Sequence, residues 1–394
     1  MNEYELKYYE CLSEKFKNKK QVLAEIINLK AIMNLPKGTE HFVSDIHGEY
    51  EMFLHILKTA SGVIKRKIDE ELEKSMTAKE RASLACLIYY PEEKLAITEK
   101  SDDWFRVMLY RLIRVAKCVS AKYTRSKVRK MLPRNFAYII DELLNCDSQS
   151  INKENYYKEI IENIIRFDLA EDFLKALCSL IQSLAIDHLH IVGDIFDRGP
   201  RADIILDYLK GVRSLDIQWG NHDILWIGAG LGDPACILSV LCDCFKYNNL
   251  ELLEDGYSIN LLPVYNLVNK YYKHSDITAF KTKYNSDSLA RLLKAVSVMR
   301  FKVEDSYKKK YTSFNMQNLT VLDKIDFKNK SWNGYSMKEC DFPTIDVNNP
   351  DELNQEEGEV LNKLVHSFVT SSKLKSHIKF LLDKGSIYLC YNNN

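Results

Sequence analysis

Three short strings carry residues able to grip metal ions and a phosphate. They are Asp45-Ile46-His47-Gly48-Glu49, Gly193-Asp194-Ile195-Phe196-Asp197-Arg198-Gly199 and Gly220-Asn221-His222-Asp223. An Asp-x-His unit on an extended backbone sends residues i and i+2 to the same side. The Asp45 carboxylate and the His47 imidazole can therefore hold one cation. Asp194 can bridge it to a second cation roughly 3.5–4 Å away, the spacing of two-metal phosphatases. Asn221 offers a neutral amide oxygen to that second ion. Asp, His and Asn ligands together suit Mn²⁺, iron or Zn²⁺. Two adjacent cations lower the pKa of a bridging water, which makes hydroxide available near pH 7 to attack a phosphoester. His222, beside a ligand, can protonate the leaving alkoxide, and Asp197 can orient that imidazole. The planar fork of Arg198 matches phosphate oxygens. The glycines let backbone approach metal and phosphate closely.

Each string needs a strand before it. His41–Asp45, Leu189–Val192 and a segment near 215–219 are short and β-prone, and read as those strands. Helices are predicted over 49–59, after Pro200 and after His222. Strands alternating with helices indicate an α/β sheet, whose carboxyl edge collects active-site groups. Residues 5–34 read as one or two amphipathic helices. The stretch 63–185 reads as several packed helices, broken at Pro91 and Pro133, with a loop at 145–153. Order weakens after about 300, and 302–350, with Lys308-Lys309-Lys310, reads as loop-rich and partly mobile. Residues 351–384 look helical, and Ser386–Tyr391 looks like a strand. The organisation expected is an N-terminal helical segment (1–40), a first part of the core (41–62), a helical insertion (63–185), a second part of the core (186–300) and an accessory region (301–394) ending in a core strand.

Composition narrows the class. The chain has 394 residues, 46% of them hydrophobic, enough for a sizeable core. Lys plus Arg is 55 and Asp plus Glu is 55, so no global basic field argues for nucleic acid. No apolar run is long enough to span a bilayer. Met1-Asn2-Glu3-Tyr4-Glu5 lacks the basic and apolar regions of a signal peptide. The ten cysteines form no CxxC pair, and Cys242 and Cys244 stand as CxC in an apolar run. Reduced buried thiols in a cytoplasmic protein are the reading.

Other features have plainer readings. Gly228-Ala229-Gly230-Leu231-Gly232 has Asp233 where a dinucleotide fingerprint needs glycine, so a helix-ending turn is expected. His188, His190 and His41 are given structural roles. Glu49 is either an outer carboxylate for His47 or a helix-start acid. Lys122, Arg125, Lys127, Arg129, Lys130 and Arg134 read as a solvated helix face, with an anionic effector site or a subunit contact as the alternative.

The first three blocks resemble those of the calcineurin-like metallophosphoesterases. The flanking strings Phe42–Tyr50, Asp187–Pro200 and Gln218–Asp223, with the helical insert, are similar to the class III fructose-1,6-bisphosphatases of Gram-positive bacteria. That resemblance implies an α/β metallophosphoesterase sandwich core with a large all-α insertion. It also implies a manganese-dependent enzyme that removes the 1-phosphate of fructose 1,6-bisphosphate, with regulation by small-molecule effectors and no nucleic-acid or membrane partner. A homo-oligomer stays open. The family completes its two-metal site with later histidines, including a Gly-His-x-His-type block, and its members are longer. Here no histidine follows a glycine, and the last are His366 and His377. The expectation is an N-terminal portion, incomplete at the C-terminus, with reduced or no activity alone. The alternatives are a metallophosphoesterase for another substrate, such as a phosphoprotein or nucleotide, and a non-catalytic subunit whose partner chain supplies the missing histidines.

Overall fold

Packing divides this computed structural model into two units, and it describes residues 2–145, 154–313, 320–337 and 340–387. The first unit comprises Met1–His41 and His55–His188, and the second Phe42–Leu54 and Leu189–Asn394. Among the described residues no helix is long and apolar enough to cross a membrane.

The first unit is helical. Its core is built by Val63–Leu72, Ala78–Tyr89, Asp102–Ser120 and Ala170–Ala185. Each presents a stripe at three- and four-residue spacing, such as Ile64, Ile68 and Leu72, or Leu109, Leu112 and Ile113. Phe173, Leu174, Leu177 and Ile181 bury fully against them. Thr77 and Glu80 form a capping box at one N-terminus, so the helix starts where its orphan N–H groups are satisfied. Pro91 opens the helix Pro91–Ala96, and Pro133 precedes a short 3₁₀ turn, so both act as breaks. The expected loop at 145–153 lies outside the described residues apart from Asn145.

Three members of the basic run, Lys122, Lys127 and Arg129, make ion pairs. Asp187 takes Lys122 at 3.3 Å, also pairs with Lys127, and accepts from the Tyr123 hydroxyl at 2.6 Å and the Thr39 N–H at 2.8 Å. Arg129 pairs with Asp141 at 2.8 Å.

The second unit holds most of a four-stranded sheet. Strands β1 (Glu40–Ser44), β2 (His188–Val192) and β3 (Leu215–Gln218) match the three expected segments. Their inward residues alternate as a half-buried strand requires: His41 and Val43, Leu189 and Ile191, Leu215 and Ile217. β2 and β3 run parallel with Leu189 opposite Leu215 and Ile191 opposite Ile217. The last strand of the sheet, β7 (Gly385–Ser386), runs parallel to β3 beside Ile217 and Gln218. The expected strand through Tyr391 is thus described only at its start.

Helices Ala202–Leu209, Asn221–Gly230, Pro234–Tyr247, Gln355–Thr370 and Ser372–Lys384 accompany the sheet. The glycine-rich run ends a helix, as expected. Gly232, at φ +93°, follows its last residues, and Gly228 and Gly230 let Cys236 and Ile378 pack closely. One expectation needs correction. The order does not weaken at 300, because the helix Asp287–Lys310 runs through it, with the three lysines in its last turn. Cations there complement the negative end of the helix dipole. Beyond it, β4 (Ile325–Asp326), β5 (Ser331–Trp332) and β6 (Tyr335–Ser336) form a small antiparallel sheet.

Candidate metal centre

Asp45 follows the end of β1, Asp194 follows β2 and Asn221 follows β3. The chain turns sharply at these points. Asp45, His47 and Asp194 have φ near +50°, and Asp197 has φ +137°. Non-glycine residues rarely adopt these conformations, at a cost of order 1–3 kcal/mol each. Four strained residues within two strings of proposed chemistry point to geometry held for function.

The loops are locked together by backbone. His47 N–H donates to the Asp194 carbonyl and Gly48 N–H to the Ile195 carbonyl, both at 2.8 Å. Gly199 N–H donates back to the His47 carbonyl. A Cβ on Gly48 would lie 2.4 Å from the Gly199 carbonyl oxygen, and one on Gly220 would lie 2.1 Å from Asp194 Oδ1. These glycines leave the space the loops and the carboxylate occupy.

The side chains converge. One donor atom each from Asp45, His47 and Asp194 lies within 4.8 Å of the others. Two carboxylates and an imidazole at that spacing fit a divalent cation, and the glycine cradle leaves Asp194 room to turn. Asn221 opens the helix Asn221–Gly230 and is exposed. His222 N–H donates to Asp194 Oδ1 at 3.2 Å, so the third string is tied to the second through this carboxylate.

Asp197 is buried between two imidazoles, with Oδ1 3.5 Å from His222 Nε2 and Oδ2 3.7 Å from His47 Nε2. These are ion-pair separations and not hydrogen bonds. Arg198 donates from Nε to Asp197 Oδ2 at 2.9 Å, while 60% of its side chain stays exposed. Its guanidinium is held beside the carboxylate and raised in pKa by it, with most of the fork facing out.

Three residues without assigned roles in the sequence reading also belong here. Asp243 Oδ2 lies 3.5 Å from His222 Nδ1, so the imidazole sits between two carboxylates. Burial pushes the Asp243 carboxyl up, and His222 pulls it the other way. The sequence signal was one acid between Cys242 and Cys244 in an apolar helix. Asp223 is fully buried and accepts from the N–H groups of Ile195 at 2.9 Å, Phe196 at 3.2 Å and Gly220 at 2.9 Å. Burial pushes its carboxyl up to about 6, and the N–H donors oppose the shift. It staples the second string to the third. Asn249, also buried, donates from Nδ2 to the Asp197 carbonyl at 3.0 Å.

Two other histidines make contacts elsewhere, and the expectation of buried thiols holds only in part, because Cys11, Cys86 and Cys340 are exposed. His190 stacks on Phe42 at 4.3 Å between centroids, and its Nδ1 meets Asp216 at 2.9 Å across adjacent strands. His377 is buried against the Tyr257 hydroxyl and Asp207, and His366 is exposed on its helix. Cys242 and Cys244 are buried, and burial pushes the Cys242 thiol up to about 11, so it stays protonated and inert.

Comparison with known proteins adds to the geometry. Residues 7–394 match the model of the Firmicute fructose-1,6-bisphosphatase family. Proteins named fructose-1,6-bisphosphatase class 3 from Clostridium botulinum (strain Loch Maree / Type A3) and Clostridium acetobutylicum are each 48% identical to this chain over 405 and 406 residues. A Clostridium tetani protein of the same name is also 48% identical. Each alignment covers 99% of this chain and 61% of the relative, so the chain spans about three fifths of the length of these curated relatives. No solved structure matches. The motif strings, the strained loops that carry them and the match over nearly the whole sequence agree, and the chain belongs to the Firmicute fructose-1,6-bisphosphatase family.

Proposed function

We propose that this chain carries the metal and phosphate machinery of a fructose-1,6-bisphosphatase with a calcineurin-like metallophosphoesterase core. The reaction assigned is hydrolysis of the 1-phosphate of fructose 1,6-bisphosphate to fructose 6-phosphate and phosphate. The observation that carries the reading is the approach of Asp45, His47 and Asp194 donor atoms to within 4.8 Å at the carboxyl edge of the sheet. Substrate identity rests on the names of the relatives, and the phosphate chemistry rests on the residues.

In this reading Asp45, His47 and Asp194 would hold one divalent cation, with Mn²⁺ the proposed ion, and Asp194 with Asn221 would hold a second. When bound, two such cations supply Lewis acidity and a nucleophile at neutral pH. The chain's own residues do the rest. Arg198 turns its exposed fork to the phosphate oxygens and offsets their charge. His222 gives a proton from its imidazole to the departing sugar oxygen, converting an alkoxide into a better leaving alcohol. Asp197 and Asp243, 3.5 Å away on opposite sides of the ring, hold that imidazole in place. Asp194 and Asn221 by themselves would hold the second ion weakly, so its affinity is expected to depend on bound phosphate.

Phosphate release from fructose 1,6-bisphosphate by the purified chain with added Mn²⁺ tests this, with Asp194→Asn as control. Losing a ligand to both ions should lower the rate more than about 100-fold, beyond the usual cost of an outer-shell change. A panel containing a phosphopeptide and a nucleotide tests the substrate. Faster turnover of either would replace the sugar bisphosphate, and a folded chain inert to all three would overturn catalysis by this chain.

A further inference from the structure

Strands β2 and β3 have two faces, and the core uses one. Leu189 and Ile191 on β2 and Leu215 and Ile217 on β3 are buried on it. His188 and His190, at i and i+2 of β2, and Asp216 on β3 lie on the other face, where strand alternation puts them together. Asp216 stands directly opposite His190 in the strand register. One donor atom from each of the three lies within 4.8 Å of the others, as in the candidate centre. The phosphate chemistry proposed above uses none of them.

We propose that His188, His190 and Asp216 form a further metal site, for a first-row divalent cation of which Zn²⁺ fits best. His190 Nδ1 lies 2.9 and 3.0 Å from the two Asp216 oxygens. Donors roughly 2.0–2.2 Å from one ion, at roughly 90–109° to each other, stand about 2.8–3.6 Å apart. This pair is therefore spaced as two ligands of one ion. Phe42 stacks on the same imidazole, with 4.3 Å between centroids and 12° between planes, and fixes the plane of the ring. A cross-strand pair accounts for two of the three residues. The second imidazole, two residues along the same strand face, makes the set a ligand group. The donors also select the ion. Two neutral imidazoles and one carboxylate suit Zn²⁺, with a water as fourth ligand. Mn²⁺ stands at the weak end of the divalent series and prefers oxygen donors. The group of Asp45, His47 and Asp194 has the opposite balance, two carboxylates to one imidazole, so the two groups should prefer different ions. β2 and β3 lead into the loops of Asp194 and Asn221, and an ion across them would tie together the strands that position both.

The test reads binding and stability and not turnover, so its outcome is separate from that of the phosphatase reading. Zn²⁺ is titrated by calorimetry into the 394-residue chain carrying His47→Ala and Asp194→Asn, which disable the candidate centre. About one Zn²⁺ per chain should still bind and should raise the thermal unfolding midpoint, as a ligand of the folded state does. Adding Asp216→Asn or His188→Gln should raise the dissociation constant at least about tenfold, the least that even an outer-shell change costs, and should abolish the rise in midpoint. Both replacements keep a hydrogen-bonding side chain, and the Asp216 side chain is 56% exposed, so the fold should survive them. If disabling the centre unfolds the chain, the same two replacements in the otherwise unaltered chain should lower the Zn²⁺ bound by about one per chain. No Zn²⁺ held beyond the candidate centre, or binding indifferent to both Asp216→Asn and His188→Gln, would overturn the proposal.

Discussion

His222 has two carboxylate neighbours, and they are not equivalent. Asp197 lies on the Nε2 side, together with His47 and Arg198, where a phosphate would be handled. Asp243 lies on the Nδ1 side, away from the cluster. The proposed proton donor is therefore also held from behind, by a residue on the helix Pro234–Tyr247. His222→Ala should lower kcat about 10²–10⁴-fold, the usual worth of a general acid. Asp243→Asn should lower kcat about 10-fold or more while KM stays within about twofold, because it acts through the imidazole and not on substrate. Steady-state kinetics with fructose 1,6-bisphosphate would check both, and an equal fall in kcat/KM arising from KM alone would contradict the second.

Among the elements, the two loops after β1 and β2 carry the strain. They are held by the reciprocal backbone bonds between His47 and Gly48 on one side and Asp194, Ile195 and Gly199 on the other. Gly48 is the tightest point, with φ +72° and the Gly199 carbonyl where a Cβ would sit. Gly48→Ala should destabilise the protein by about 2 kcal/mol or more, from overpacking and from a disfavoured φ together. It should also spread the donor atoms of Asp45, His47 and Asp194. Urea unfolding measures the first effect, and Mn²⁺ titration by calorimetry measures the second. A variant as stable as the parent would mean that these loops have slack.

On the scale of the whole chain, distant segments of the second unit are joined by buried charge. Asp203 is fully buried at the start of the helix Ala202–Leu209, where Arg201 donates from Nε at 3.1 Å and Lys373 pairs at 2.8 Å. Burial pushes its carboxyl up, but the two cations more than offset this and hold it below the usual 3.8. A carboxyl depressed on folding contributes stability above its unfolded pKa, and that stability is lost as pH falls through the folded value. The protein should therefore lose stability below about pH 4, and Asp203→Asn should be less stable at pH 7 yet flatter in the acid limb. Denaturant midpoints between pH 7 and pH 3 would show it.

The sequence by itself determined the strands and the ligand strings. Val43, Leu189, Ile191, Leu215 and Ile217 take the inward positions, alternating with more exposed residues, because one face of a sheet must be dry, and that period is local. The candidate metal-binding residues were readable because Asp, His and Asn just beyond a strand leave few structural uses. The helix through 300 was misread because its lysines resemble a solvated loop until they are seen at a helix C-terminus. Asp223, Asp243 and Asn249 gained roles only in three dimensions. Their partners lie on other elements, at 195–196, at His222 and at Asp197, and a buried carboxylate or amide is defined by what surrounds it. The N-terminal helices show the converse. Their helical spacing is legible in the sequence, but only the tertiary structure shows that neither helix has a buried residue among the described residues, because burial is a property of neighbours and not of pattern.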